Sequence, residues 1–244
     1  MAIKVGINGF GRIGRTFFRY AYGKSDIDVV AVNDLSDAKA LRYLLQHDSV
    51  YGRAPFEVVA KEGAFVAGTK EVKVFTEKEP SKIPWSSLGV EVVVESTGFF
   101  DTFEKARAHL TGSVTHVVLT APAKDEDTAD GATVLVGINE ERLKTCSVSS
   151  NASCTTNAGS PLIAILDEAL GVEHALLTTT HAYTASQALV DGLTKAHNMR
   201  EYRGGSQNLV PTSTGAAIAV TRALPKLDKK FDGIAIRAPV ACGS

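Results

Sequence analysis

Cysteine is scarce in this 244-residue chain: Cys146, Cys154 and Cys242 are all there is, with no C-x-x-C pair. So odd and sparse a count excludes a disulfide framework and a thiolate metal site. No apolar run reaches membrane-spanning length. An excess of charge is missing too. With 26 Lys and Arg against 27 Asp and Glu, the net charge is −1. No basic field therefore points to nucleic acid or a membrane surface. Internal repeats and low-complexity tracts are absent. Residues 1–4 run straight into a strand pattern, so no signal peptide is expected and a cytoplasmic, reducing compartment is the default. His47, His109, His116, His174 and His197 show no metal-ligand spacing and read as surface or satisfied core residues, so no metal is expected. What is present is 44% apolar and 22% charged residues, an ordinary globular composition long enough for one large or two medium domains.

One stretch organises the rest: Ser149-Ser150-Asn151-Ala152-Ser153-Cys154-Thr155-Thr156-Asn157. Small polar residues deliver a cysteine to the start of a helical pattern over 158–170, where Leu162, Ile163, Leu166 and Leu170 recur at helical spacing. Cys154 is thus expected at a helix N-terminus, where orphan N–H groups and the positive end of the dipole favour a thiolate. The bland alternative is a small buried cysteine.

Residues 2–8 read as a buried strand, followed by Gly9-Phe10-Gly11-Arg12-Ile13-Gly14 and a helix over 15–22. A G-x-G-x-x-G between strand and helix suits a dinucleotide. Gly9, Gly11 and Gly14 permit the tight turn, the approach of a pyrophosphate and close helix–strand packing. The next strand, 27–33, ends in Asp34, whose carboxylate can accept from an adenosine ribose and would repel a 2′-phosphate. NAD is favoured over NADP.

Further along, 37–48 reads as helix and 50–90 as short strands and turns. Buried strands are expected at 90–95, 114–120, 133–138 and 147–150, with a helix at 102–110. Ser96-Thr97-Gly98 suits a ligand loop at a strand's carboxyl end. Alternating strands and helices imply a doubly wound α/β domain over 1–150, with 151–244 as a second domain. There, strand 175–180 leads into His181-Ala182-Tyr183-Thr184. A long polar segment, 185–208, carries Arg200 and Arg203, read either as a solvated face or as an anion-binding loop. Pro211-Thr212-Ser213-Thr214-Gly215 is expected to open a helix over 216–223, and 231–236 is a strand leading to Arg237-Ala238-Pro239-Val240. Cys146 reads as core, Cys242 as structural and Trp85 as packing.

Taken in order, the glycine fingerprint with Arg15, the cysteine octapeptide, His181–Thr184, 211–217 and 237–240 resemble the phosphorylating glyceraldehyde-3-phosphate dehydrogenases. The resemblance covers the whole chain and implies a Rossmann nucleotide domain followed by an α+β catalytic domain, here incomplete. It implies Cys154 as nucleophile and His181 as base. Ser153, Thr155, Thr214 and Gly215 would serve the phosphate sites. Thr184 and Arg237 would hold the substrate's own phosphate, and of the loop arginines Arg200 best fits the family's phosphate-contacting position. Arg12 and Ile13 would lie along the pyrophosphate, Asp34 on the ribose, and Thr97 and Thr120 near the dinucleotide, flanked by Asn33 and Gly98. Expected partners are glyceraldehyde 3-phosphate and inorganic phosphate, with a homotetramer for the full-length protein. Two departures stand out. The loop 192–199 differs and carries Leu193 where the family usually has proline. The family also continues past Ser244, so the chain resembles a truncated member, expected to expose sheet edges and apolar surface. Erythrose 4-phosphate as the substrate, or an inactive NAD-binding fragment, are the alternatives.

Overall fold

The computed structural model describes residues 2–194 and 198–243. Lys195, Ala196 and His197, part of the atypical loop, lie outside the described residues. The chain forms two units: Met1–Val134 with Glu141–Asn151, and Leu135–Glu140 with Ala152–Ser244.

The first unit begins with β1 (Ile3–Asn8), α1 (Arg12–Ala21), β2 (Ile27–Asn33) and α2 (Ala38–Gln46). A small hairpin, β3 (His47–Asp48) and β4 (Gly52–Arg53), precedes β5 (Val58–Lys61), β6 (Ala64–Ala67) and β7 (Lys70–Phe75). Then come β8 (Val92–Glu95), α3 (Phe103–Ala106), β9 (His116–Leu119), β10 (Gly131–Thr133) and β11 (Val148–Ser150). One nine-stranded sheet runs β10-β11-β9-β8-β1-β2-β7-β6-β5. Its strands are parallel from β10 to β7, and β6 and β5 add antiparallel pairs at one edge. The strand order reverses around β1, with β2 on one side and β8 on the other, so this is the doubly wound fold read from the sequence. The register sets Asn33, Asn8 and Glu95 side by side at the carboxyl ends of β2, β1 and β8.

Both faces of the sheet are covered. Val94 packs with Ile7, Phe10 and Phe18, while its neighbour Val93 packs with Trp85, Phe103 and Val117. Adjacent strand residues point to opposite faces, which is why 90–95 reads as an unbroken apolar run. Trp85 is fully buried, as its packing role requires. The expected strand at 133–138 is corrected. Pairing ends at Thr133, because Gly137 takes φ +75° and Leu135 N donates to Asn139 Oδ1, turning the chain. The helix expected at 102–110 tightens after Ala106 into a 3₁₀ turn, Arg107–His109.

The second unit contains α4 (Cys154–Leu170), β12 (Ala175–Ala182), β13 (Val210–Ser213), α5 (Ala216–Ala223) and β14 (Phe231–Ala238). Its sheet order is β12-β14-β13, with β12 parallel and β13 antiparallel to β14. Pro211–Ser213 is therefore strand rather than helix opening. Pro211 sits on an edge strand, where a missing N–H is tolerated. The face that α4 buries is also not the apolar one. Thr155, Thr156, Gly159, Ser160 and Ile163 are buried, whereas Leu162, Leu166 and Leu170 are exposed. At Gly159 a β-carbon would meet Leu177 of β12 at 3.7 Å, ordinary contact distance.

Two stability outcomes follow. A β-carbon at Gly6 would fall 2.6 Å from the Trp85 ring. Gly6→Ala is expected to cost about 1–3 kcal/mol through overpacking, read as a drop of roughly 2–4 °C in melting temperature per kcal/mol. Asp130 accepts from the Ser147 hydroxyl and N–H at 2.6 and 2.9 Å and pairs with Arg107. The Ser147 hydroxyl, then Arg107, hold its carboxyl down to about 2, from 3.8. This tie stabilises the fold above about pH 4 and is lost as the pH falls toward 2. The melting deficit of Asp130→Asn should accordingly shrink over that interval.

Candidate active site

In the first unit a pocket of about 570 Å³ opens at the carboxyl ends of β1, β2 and β8. Gly9, Gly11, Asp34 and Thr97 line it. The glycines fit the group by their space. Gly9 has φ +88°, and a β-carbon there would lie 2.6 Å from Thr97 N. One on Gly14 would lie 2.2 Å from Gly9 O. At Gly11, by contrast, a β-carbon would meet nothing within 4 Å, so the space over the start of α1 is open. Gly11 also offers no side chain to cap that helix. An anion can take that place. The Asp34 carboxylate is fixed by Phe10 N at 2.7 Å and Ser36 N at 2.8 Å. Arg12 and Ile13 are exposed at the first turn of α1. Thr120 Oγ1 donates to Glu95 O at 3.1 Å and so is tied to the end of β8.

Sequence reasoning missed part of this pocket. Leu35, Lys78, Phe99 and Phe100 also line it. Leu35 and Phe99 are 61% and 76% exposed. Their signal was available: large apolar residues directly after strand ends, where a ligand rather than a core can cover them.

In the second unit Ser153 caps α4, its Oγ accepting from Thr156 N at 3.0 Å. Cys154 is the first helical residue and is exposed. Ala152, just before the cap, takes φ +53° and is buried. A non-glycine residue in that region costs about 1–2 kcal/mol, and here it aims the chain into the helix. Cys154 Sγ lies 3.2 Å from His181 Nε2. The β12–β14 register places Arg237 directly opposite His181. Arg237 Nη1 lies 2.5 Å from His181 Nδ1 and 3.2 Å from Ala182 O, while Nδ1 itself lies 2.8 Å from Ala182 O. A guanidinium can only donate. When Arg237 donates to Nδ1, the ring proton sits on Nε2 and faces sulfur. When Nδ1–H donates to Ala182 O, Nε2 is free to accept. Burial lowers the pKa of Arg237, a loss that the nearby Cys154 partly offsets.

Two family descriptions match this chain: residues 3–103 match the glyceraldehyde 3-phosphate dehydrogenase NAD-binding domain, and residues 153–244 match the C-terminal domain. Glyceraldehyde-3-phosphate dehydrogenase 1 of Bacillus cereus is 48% identical over 240 residues, covering 98% of this chain and 70% of that protein. The Streptomyces avermitilis protein of the same name is 46% identical over 247 residues, covering 100% and 72%. The glyceraldehyde-3-phosphate dehydrogenase of Salmonella typhimurium is 45% identical over 239 residues, covering 98% and 71%. The chain belongs to the glyceraldehyde-3-phosphate dehydrogenase family. Its nucleotide-binding unit is of the NAD-binding type.

The other residues expected from the family resemblance are less tightly gathered. Thr184 Oγ1 meets Ser186 Oγ at 3.1 Å just beyond β12. Thr214 and Gly215 stand at the start of α5, where Thr214 Oγ1 accepts from Ala216 N at 3.1 Å. Thr155 is buried. Arg200 is exposed on the 3₁₀ turn Met199–Tyr202, and no hydrogen bond or ion pair of its side chain ties it to Cys154 or Arg237. Arg203 is engaged with Asp191 at 2.7 Å. Cys146 is buried, and burial raises its pKa. Cys242, expected to be structural, is exposed, because it follows the last strand rather than continuing the sheet.

This geometry orders the thiols. Site-resolved mass spectrometry during iodoacetamide alkylation should find Cys146 the slowest. His181→Asn should slow Cys154 at least roughly tenfold while leaving Cys242 unchanged.

Proposed function

We propose that Cys154 and His181 carry out the NAD-dependent oxidation and phosphorylation of glyceraldehyde 3-phosphate to 1,3-bisphosphoglycerate. The observation that carries this reading is the 3.2 Å contact between sulfur and imidazole at the start of α4, in a chain of this family.

Cys154 Sγ adds to the aldehyde carbon and forms a thiohemiacetal. Cys154 stands at the first turn of α4, where backbone N–H groups lack intrahelical acceptors. His181 Nε2 takes the thiol proton, passes it to the carbonyl oxygen as the thiohemiacetal forms, and takes it back from the hydroxyl as the carbon is oxidised. Bound NAD supplies the hydride acceptor. A thioester to Cys154 results. Inorganic phosphate attacks its carbonyl carbon, the C–S bond breaks, and an acyl phosphate leaves with the thiolate restored.

Ser153, Thr155, Thr214 and Gly215 are assigned to the phosphate that attacks. Thr184, Arg200 and Arg237 are assigned to the substrate's own phosphate. Arg237 is suited to this role because a partly desolvated guanidinium gains by meeting a doubly charged anion. Gly9, Gly11, Gly14, Arg12, Ile13, Asp34, Thr97 and Thr120 are assigned to NAD. Self-association, as a homotetramer in the full-length protein, is part of this reading. The exposed Leu162, Leu166, Leu170 and Leu176 support it. A cytoplasmic location is likewise proposed. Among the described residues, no helix is long and apolar enough to cross a membrane.

The test is NADH formation from glyceraldehyde 3-phosphate, NAD and phosphate. Cys154→Ser should lower turnover at least about 10⁴-fold and His181→Asn about 10²–10⁴-fold. Without phosphate, NADH should appear as a single burst and then stall. Steady turnover by Cys154→Ser would remove the thioester from the scheme.

A further inference from the structure

Beneath the dinucleotide pocket lies a set of polar side chains that the chemistry above does not use. Glu95, His109, Asn8 and Asn33 are 3%, 0%, 1% and 4% exposed. Glu95 Oε2 accepts from Asn8 Nδ2 at 2.6 Å and meets His109 Nε2 at 3.0 Å. Glu95 Oε1 accepts from Thr97 N at 2.7 Å and Thr97 Oγ1 at 2.5 Å. Asn33 Nδ2 donates to Asn8 Oδ1 at 2.7 Å. The direction of the network is fixed from its far end. Trp85 Nε1–H, which can only donate, lies 3.2 Å from His109 Nδ1. Nδ1 is therefore the acceptor, the ring proton is on Nε2, and His109 donates to Glu95.

Four donors thus converge on one buried carboxylate. Two of the residues that supply them, Asn8 and Thr97, line the dinucleotide pocket. Asn33, which donates to Asn8, lines it as well. Glu95 and His109 do not. We propose that Glu95 and His109 are positioning residues for NAD: they set its affinity without touching it, by holding Thr97 and Asn8 at the pocket wall. The inference rests on the reading of this pocket as the NAD site and adds what fixes its shape. A buried acceptor is hard to replace here, since any donor put in its place faces another donor, and such an unsatisfied group costs roughly 1–3 kcal/mol.

The test is calorimetric titration of the chain with NAD, in the absence of substrate. Glu95→Gln turns an NH₂ group toward either Asn8 and His109 or Thr97. It should weaken NAD binding roughly tenfold. The double variant Asn8→Asp with Glu95→Gln moves the carboxylate one strand over. There it can accept from the new amide, from His109 Nε2–H (3.3 Å from that side-chain position) and from Asn33. Binding should return to within about threefold of the wild type, a coupling that simple loss of packing does not produce. Unchanged affinity in Glu95→Gln, or a double variant that binds no more tightly than the single, overturns the proposal. Should Glu95→Gln fail to fold, Trp85→Phe tests the same network. It frees His109 to adopt the other tautomer and should weaken NAD binding about threefold, whereas an unchanged affinity overturns the proposal. A wild-type chain that does not bind NAD removes both the pocket's reading and this inference. NAD binding that is insensitive to Glu95 removes the inference alone.

Discussion

No β-carbon fits on residue 14, because the carbonyl oxygen of Gly9 already occupies its place. That contact lets α1 start where β1 stops. The turn before it is closed from the other side by Thr97 N, which leaves no room for a side chain on Gly9. Strand, turn, helix and the loop after β8 are thereby drawn to one point. The space left over is the open ground at Gly11. The first unit is built around a place where side chains are not allowed, and the pocket at the carboxyl ends of β1, β2 and β8 is its complement.

The second unit reaches its chemistry by another route. His181 and Arg237 meet because β12 and β14 are parallel neighbours in a single register. A slip of β14 by one residue would turn Arg237 to the face away from His181. Cys154 is brought in by the cap of α4 and by the left-handed backbone of Ala152. The buried face of α4 is made of Thr155, Thr156, Gly159, Ser160 and Ile163, and Ile163 packs with Val220 of α5. Strand pairing and the cap of α4 position this site.

What could be read from the chain was whatever its neighbours in sequence decide. The glycine turn, Cys154 at a helix N-terminus and the apolar run ending at Glu95 each depend on residues a few positions away, and each stands where the sequence indicated. Pro211–Ser213 looked like a helix opening because small polar residues usually are one; pairing with Ile234–Ile236 made it a strand. Leu162, Leu166 and Leu170 have helical spacing, but spacing does not say which side of a helix meets a sheet. His109 was legible only as surface or satisfied core. Its role depends on Trp85 and Glu95, neither adjacent in sequence, and that kind of convergence leaves no periodic trace. Phe99 and Leu35 stand at a pocket's edge rather than in the core, and an apolar side chain alone does not tell those two places apart.

The short excursion Leu135–Glu140 bears on how the protein is made. Leu135 is 2% exposed, and its packing partners are Ala152, Ala219 and Ala223. A ribosome releases Leu135 long before it has synthesised α5. At ~5–20 residues per second the delay is on the order of several seconds. Over that time the nucleotide-binding unit can close around β10 and β11 while the loop between those strands still lacks the helix that will cover it. Leu135 then has Ala152 and Ile138 beside it but neither Ala219 nor Ala223, and so stays only partly covered until α5 is made. Synthesis speed through α4 and β12, rather than the stability of either unit, sets how long that surface stays open.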